Sequence, residues 1–332
     1  MGTRDHSPSE EHRAARRSAG LFDLSSRSQL EVTGPDRVSW LHNLLTNDIK
    51  SLTPGHGCEA AFLTQQAKVR ALVVVYALPE ALLLDGEASR AAALASALLK
   101  YRISEHVELK DRTSEFGLLA LQGPQAPAIL TAWAGTEAIP ARELDHIAVA
   151  VREISSVIIR HRGPGEFGFQ ILTPAASKPT VWEQLLTVGG PMGLTPCGPE
   201  AWESLRIEAG IPRDGVDVTE EVLLPETGLD RVVSTTKGCY LGQEFVVRIR
   251  DRGQVTQRLC LLALEGTAAA SAGAVVRAGD RDVGAVTSSA FVPTQGRALA
   301  LGYLHRDAAQ PGTTVTVMLP GGPCPATVTT PH

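Results

Sequence analysis

Apolar and polar positions alternate with two different periods along the chain, and the change of period divides it. Residues 21–32 read as extended structure, after which Gly34-Pro35-Asp36 opens a helix through Trp40, Leu41, Leu44 and Leu45. Pro35 is tolerated there because the first turn of a helix has no partner for its N–H. Two apolar runs, 69–78 and 81–84, are split by Pro79-Glu80 in the manner of a hairpin. The alanine-rich stretch 87–100 predicts a helix, and 107–109 and 116–121 predict strands on either side of a charged loop. Gly123-Pro124 opens a helix containing Ile129, Leu130 and Trp133, and 147–160 alternates like one or two strands. A strand over 167–172 precedes a helix through 181–186 that stops at Gly189-Gly190, and 200–209 forms a short helix ended by Gly210 and Pro212.

Beyond about residue 255 the helical period disappears. Short strand-like runs at 257–264, 274–277, 283–286, 298–303 and 313–319 alternate with Gly, Pro and Asp turns. Evenly spaced short strands suggest a small antiparallel barrel appended to an α+β body. The expected organisation is a flexible N-terminal arm over 1–19, a body over 20–250 made of two subdomains, and a barrel domain over 255–332. At about 150 residues per domain, a chain of 332 residues also suggests roughly two domains.

Composition narrows the function classes. The net charge is −5, from 31 Lys+Arg against 36 Asp+Glu, and aromatic residues are only 5%. Such a chain lacks the global positive field and the stacking platforms that nucleic-acid binding uses, so direct tRNA binding is disfavoured. The most apolar stretch, 71–84, is interrupted by Pro79 and Glu80 and is too short for a bilayer. The first twenty residues mix both charge signs and hold no apolar run, and the expected location is cytoplasmic. Five cysteines, at 58, 197, 239, 260 and 324, include no C-x-x-C pair, so neither a disulfide framework nor a zinc spacing is indicated.

The densest chemistry lies in Lys237-Gly238-Cys239-Tyr240-Leu241-Gly242-Gln243-Glu244, trailed by Arg248, Arg250, Arg252 and Arg258. A helix beginning just after Cys239 would put the sulfur at its electropositive N-terminus, and Lys237 would add a second cation, so that a reactive thiolate is expected. A small buried filler is the alternative use of such a thiol. Between a glycine-containing turn and a strand, Glu166 is suited to accept two parallel hydrogen bonds from an amidine-like edge such as that of a pterin. Arg248, Arg250 and Arg252 suit a carboxylate-rich tail or phosphates.

The K-G-C-Y-x-G-Q-E stretch resembles the defining motif of the YgfZ family, folate-binding proteins of iron–sulfur cluster assembly related to the glycine-cleavage T-protein aminomethyltransferases. The likeness continues through Gly20-Leu-Phe-Asp-Leu-Ser25, Leu45-Thr-Asn-Asp48, Leu119-Ala-Leu-Gln-Gly-Pro124, Gly165-Glu-Phe-Gly168 and Ser204-Leu-Arg-Ile-Glu-Ala-Gly210, nearly everything after the N-terminal arm. The resemblance implies three small domains in a ring around a central folate channel, the last a β-barrel. It also implies tetrahydrofolate or a derivative as cofactor, with Glu166 as its contact, to which the reading of the arginine run adds Arg248, and a functional Cys239 flanked by Lys237, Tyr240, Gln243 and Glu244.

T-proteins carry an aspartate where Cys239 stands, and a catalytic aspartate in the strand after the LTND-like segment, where Ala71, with Leu72 beside it, falls here. The expected function is therefore an accessory factor for assembly or repair of iron–sulfur clusters, with client enzymes, including radical-SAM tRNA-modifying enzymes, and cluster-assembly proteins as partners. The rival reading is a folate-dependent aminomethyl or one-carbon transferase of the T-protein type.

Overall fold

In the computed structural model, which describes residues 6–165 and 167–330, the chain enters through a helix instead of an arm. Helix α1 (Pro8–Arg17) starts at a reciprocal cap, the Ser7 hydroxyl accepting the Glu10 N–H at 3.3 Å and the Glu10 carboxylate accepting the Ser7 N–H at 2.8 Å. Such a pairing satisfies two donors that a helix start leaves free. The buried face of α1 is Glu11, His12 and Ala15. The expectation of a flexible arm over 1–19 is thus corrected for residues 8–17, and its first five residues lie outside the described residues.

Strand β1 (Ala19–Asp23) is followed by β2 (Arg27–Thr33), α2 (Arg37–Leu44), β3 (Gly57–Leu63), β4 (Val69–Ala77), β5 (Leu82–Glu87), α3 (Ala91–Leu99) and β6 (Glu108–Asp111). The chain continues through β7 (Phe116–Gln122), α4 (Ala126–Ala134), β8 (His146–Val151), β9 (Ile154–Arg160), β10 (Gly168–Pro174), α5 (Lys178–Gly189), β11 (Leu194–Cys197), α6 (Pro199–Glu208) and α7 (Gln243–Arg252). Strands β2 to β6 form one sheet in the order β3-β4-β5-β2-β6, whereas β1 leaves its neighbours and inserts between β11 and β7 in a second, six-stranded sheet, β11-β1-β7-β10-β9-β8. Strands from distant parts of the sequence therefore complete the second sheet.

Alternation along β4 gives each of its faces a different task. Ala71, Val73, Val75 and Ala77 enter a core with Leu41, Leu45, Leu84 and Leu98, while Leu72, Val74 and Tyr76 join other clusters on the opposite face. A period of two is what a strand imposes on side chains.

The C-terminal strands β12 (Gln257–Leu264), β13 (Val275–Ala278), β14 (Arg281–Val292), β15 (Arg297–His305), β16 (Thr314–Leu319) and β17 (Gly322–Thr329) close a barrel. The sequence reading of this region lacks β17, whose Pro323 and Pro325 argue against a strand. Pro325 gives its carbonyl to Glu265 N–H at 2.8 Å, just past the end of β12, so its missing N–H faces a place where the ladder has ended. The barrel docks on α6 through Arg206, which donates to Asp217 at 2.8 Å and to the Ser288 hydroxyl at 2.7 Å, while Ser288 donates to Asp217 at 2.7 Å. No described helix is long and apolar enough to cross a membrane.

Candidate functional site

The LTND-like segment and the cysteine motif meet in space. Thr46 donates to the Val232 carbonyl at 2.5 Å and accepts the Ala61 N–H at 2.8 Å, and the Asn47 amide donates to the carbonyls of Glu59 (2.7 Å) and Arg231 (3.2 Å). These bonds lace residues 231–232 onto β3. Five residues later, Lys237 Nζ donates to the carbonyls of Leu45 at 2.6 Å and Asn47 at 3.1 Å and also to that of His42, closing the end of α2. The ammonium lies 5.1 Å from the Tyr240 ring centroid. Burial is the main cause that brings the Lys237 amine down to about 8.

The rest of the motif is equally anchored. Tyr240 is buried with Leu63, Val69, Leu229 and Val246. Gly242 caps α7 with φ +86°, and a Cβ there would sit 2.5 Å from the Thr64 carbonyl oxygen, so both the left-handed backbone and the close approach require glycine. The helix therefore begins at Gln243, not after Cys239, and Lys237 is turned toward carbonyls. Neither of the two causes expected to favour a thiolate at Cys239 is present in that form. What the fold provides is exposure: Cys58 is half-buried, Cys197, Cys260 and Cys324 are buried, and Cys239 is exposed between two fastened residues. Glu244 and Arg248 pair with each other at 3.2 Å on the exposed face of α7.

A separate cavity of about 1870 Å³ opens between the two sheets. Its walls are Phe22, Leu72 and Val74 from the strands, Trp182 and Trp202 from α5 and α6, and the segments 209–214 and 229–232. No described residue of the barrel lines it, and neither Cys239 nor Arg248 does. Arg248, expected at the cofactor, stands apart from the cavity, and Glu166 lies outside the described residues. Arg162, Gly163, Pro164 and Gly165, which precede it, do line the cavity. The wall position on β4 is Leu72, whereas Ala71 points into the opposite core; neither carries a carboxylate.

Several wall groups escape sequence reasoning. Gln170 on β10 is 3% exposed and its Oε1 has no hydrogen-bond partner, an expense that a buried acceptor rarely sustains without a ligand or water. A lone polar residue in the apolar run Gly168-Phe-Gln-Ile-Leu172 was the available signal. Arg27 pairs with Asp85 and, at 3.3 Å, with Glu87, and Gln29 donates to Asp85 at 3.0 Å. At the far end, Glu208 accepts Thr294 at 2.6 Å and Arg16 at 2.7 Å, with His12 Nε2 3.3 Å away.

An amide acceptor without a partner, aromatic and aliphatic walls, and cationic side chains such as Arg162 and Arg213 are what a pterin with an acidic tail would require. The donor set fits such a group.

Comparison with known proteins gives consistent results. The model of the GCVT N-terminal domain matches residues 3–237, and that of the glycine cleavage T-protein C-terminal barrel domain matches residues 257–332. An aminomethyltransferase of Streptomyces coelicolor is 31% identical over 317 residues, covering 94% of this chain and 85% of the relative. One from Symbiobacterium thermophilum is 32% identical over 320 residues, at 94% and 85% coverage. The crystal structure of the glycine cleavage system aminomethyltransferase T from Bartonella henselae superposes with a TM-score of 0.86 at 26% identity, over 97% of this chain and 88% of that one. These relatives are aminomethyltransferases, the kind named in the rival reading of the sequence.

Proposed function

Because the chain belongs to the glycine cleavage T-protein family, we propose that it binds tetrahydrofolate in the central cavity and serves as a folate-dependent transferase of an aminomethyl or other one-carbon unit. The observation that carries this reading is the unpartnered, buried Oε1 of Gln170 in the cavity wall. Gln170 would accept an N–H of the pterin, Phe22 and Trp202 would exclude water from its faces, and Arg162 and Arg213 would meet the carboxylates of its tail. Glu166, beside this wall in sequence, is proposed as a second pterin acceptor. Tetrahydrofolate supplies the nitrogen that receives the one-carbon unit.

Trp182 and Trp202 line the cavity, so titration with tetrahydrofolate should quench intrinsic fluorescence in the wild type and much less in Gln170→Leu or Glu166→Ala. Absence of quenching in the wild type would overturn the reading. Turnover of an aminomethyl or N-methyl donor that depends on tetrahydrofolate is the expected activity, and a purified protein that binds folate yet turns over none would confine the proposal to binding.

One observation favours a second reading. Cys239 is exposed between the anchored Lys237 and Tyr240 while the other four cysteines are covered to differing degrees, and the β4 wall holds Leu72 in place of a carboxylate. On this reading the protein is a folate-binding accessory factor of the YgfZ kind for iron–sulfur enzymes, with Cys239 as a transient thiolate toward a cluster, a persulfide or a client disulfide. In a strain deleted for the gene, wild type should restore client [4Fe–4S] enzyme activity and Cys239→Ala should not. Equal restoration by both would remove the thiol role.

A further inference from the structure

His161 directly follows β9 and lines the central cavity. Its backbone is fastened on both sides: the N–H donates to the Gly168 carbonyl at 3.1 Å, and the carbonyl accepts Gln122 Nε2 at 3.4 Å. The ring is fastened too, because Nδ1 accepts the Gly163 N–H at 3.0 Å. Gly163 reaches that place with φ +54°, and a Cβ on it would stand 3.1 Å from Gln122 Nε2, so glycine suits both the backbone and the space. An imidazole whose Nδ1 accepts a hydrogen bond carries its proton on Nε2. Protonating Nδ1 as well would set two N–H groups against each other, and burial, with Arg27 adding to it, holds the imidazole below its ordinary value against Glu143, Asp85 and Glu59. The neutral ring therefore presents one N–H donor, and among the described residues Nε2 has no hydrogen-bond partner.

Gln170 stands on the same face of the sheet. Its strand partner is Ile159, two positions before His161, and residues two apart along a strand share a face. A donor and an open, buried acceptor, Gln170 Oε1, thus rise from the end of β9 and from β10, neighbouring strands about 5 Å apart. Such a pair recognises a neutral edge on which an acceptor adjoins a donor. A carboxylate in this place would meet Glu143, Asp85 and Glu59 as like charges, and an ammonium would set its N–H against that of Nε2.

We propose that His161 determines which edge of the pterin faces this wall: its Nε2–H donates to the ring carbonyl while Gln170 Oε1 accepts the adjacent ring N–H, so that the lactam edge is the one bound here. The proposal rests on the folate reading and adds the orientation of the ring to it. His161 makes and breaks no covalent bond in this role, and its proton stays on Nε2.

The test is fluorescence titration of the full chain with tetrahydrofolate, paired with infrared difference spectroscopy of bound tetrahydrofolate carrying a heavy carbon isotope at its ring carbonyl. His161→Phe should bind about tenfold more weakly and move the labelled carbonyl band to higher frequency. His161→Gln, whose side-chain amide N–H reaches the place of Nε2–H, should keep the wild-type band. Gln170→Leu should weaken binding and leave the band in place. In wild type with isotope-labelled histidine, NMR should show His161 with its proton on Nε2 and that proton moving downfield as tetrahydrofolate is added, a readout that needs no variant. An unmoved carbonyl band in folded His161→Phe, or a His161 proton that does not move on saturation, would overturn the proposal while leaving the folate site intact. Failure of wild type to bind tetrahydrofolate at all would instead sink the reading on which it rests.

Discussion

Glu208 and Asp214 are buried carboxylates six positions apart on the same cavity, and the fold treats them in opposite ways. Burial alone would raise both. At Glu208 the penalty is outweighed by hydrogen bonds from His12 and Thr294 and by Arg16, and the carboxyl is drawn down to about 2. At Asp214 burial wins, and the carboxyl is pushed up to about 6. The first joins α1, α6 and the barrel through Arg16, His12 and Thr294; the second meets one poorly aligned cation and the Leu72 and Gly215 backbone N–H groups, which together do not offset its burial. A satisfied buried charge is a fastening, whereas an incompletely satisfied one is a cost to the fold that a ligand would remove.

The sharpest way to break this contrast is Glu208→Gln. Its carboxyl is lower in the folded chain than its ordinary value of 4.5, so its contribution is present above pH 4.5 and lost as the pH falls toward 2. The variant should lose about 3 kcal/mol at pH 7 by urea unfolding, with the difference from wild type shrinking below pH 4.5. An equal loss at pH 3 would show that packing, not charge, accounts for it.

Asp214→Asn should go the other way. The folded chain holds this proton between pH 3.8 and about 6, so wild type is most stable below that window and loses stability as the pH rises through it. At pH 8 the variant is expected to be about 1–2 kcal/mol more stable than wild type, part of the gain being offset by the lost pair with Arg90. Below pH 4 the advantage should vanish; a variant less stable at pH 8 would mean that the Arg90 pair outweighs burial.

Gln170→Leu replaces another open acceptor by an apolar shape, and should alter stability by less than about 1 kcal/mol while weakening tetrahydrofolate binding. The smallest effect belongs outside the cavity. Arg248→Ala removes an exposed pair with Glu244 and should leave the melting temperature within about 2 °C and folate affinity unchanged. A marked loss of folate affinity would return Arg248 to the site from which its position separates it.

Local signals made much of this legible in advance. Pro79-Glu80 marks the turn between β4 and β5, and the turn residues after position 255 announce a barrel. Helix α1 escaped because its buried face is Glu11 and His12, not a hydrophobic stripe, although the Ser7-Pro-Ser-Glu10 cap was there to be read. Helix α7 starts a few residues beyond the expected position after Cys239 because Gly242, held against Thr64, sets it. Asp214 gave no local signal: apart from the neighbouring Gly215 N–H, the groups that with burial set its character, Arg90, Glu87 and the Leu72 N–H, are far from it in the chain.

Sequence by itself determined the period of each element, the glycines and prolines that end them, and the motifs that mark the family, because these act over a few residues. Only the tertiary structure decided which side chains lose water together. That selection leaves Lys237 facing carbonyls, Cys239 in solvent, Glu208 fully partnered and Asp214 open. The charge state of a buried group depends on desolvation and on partners within a few ångströms, and chain order does not specify either.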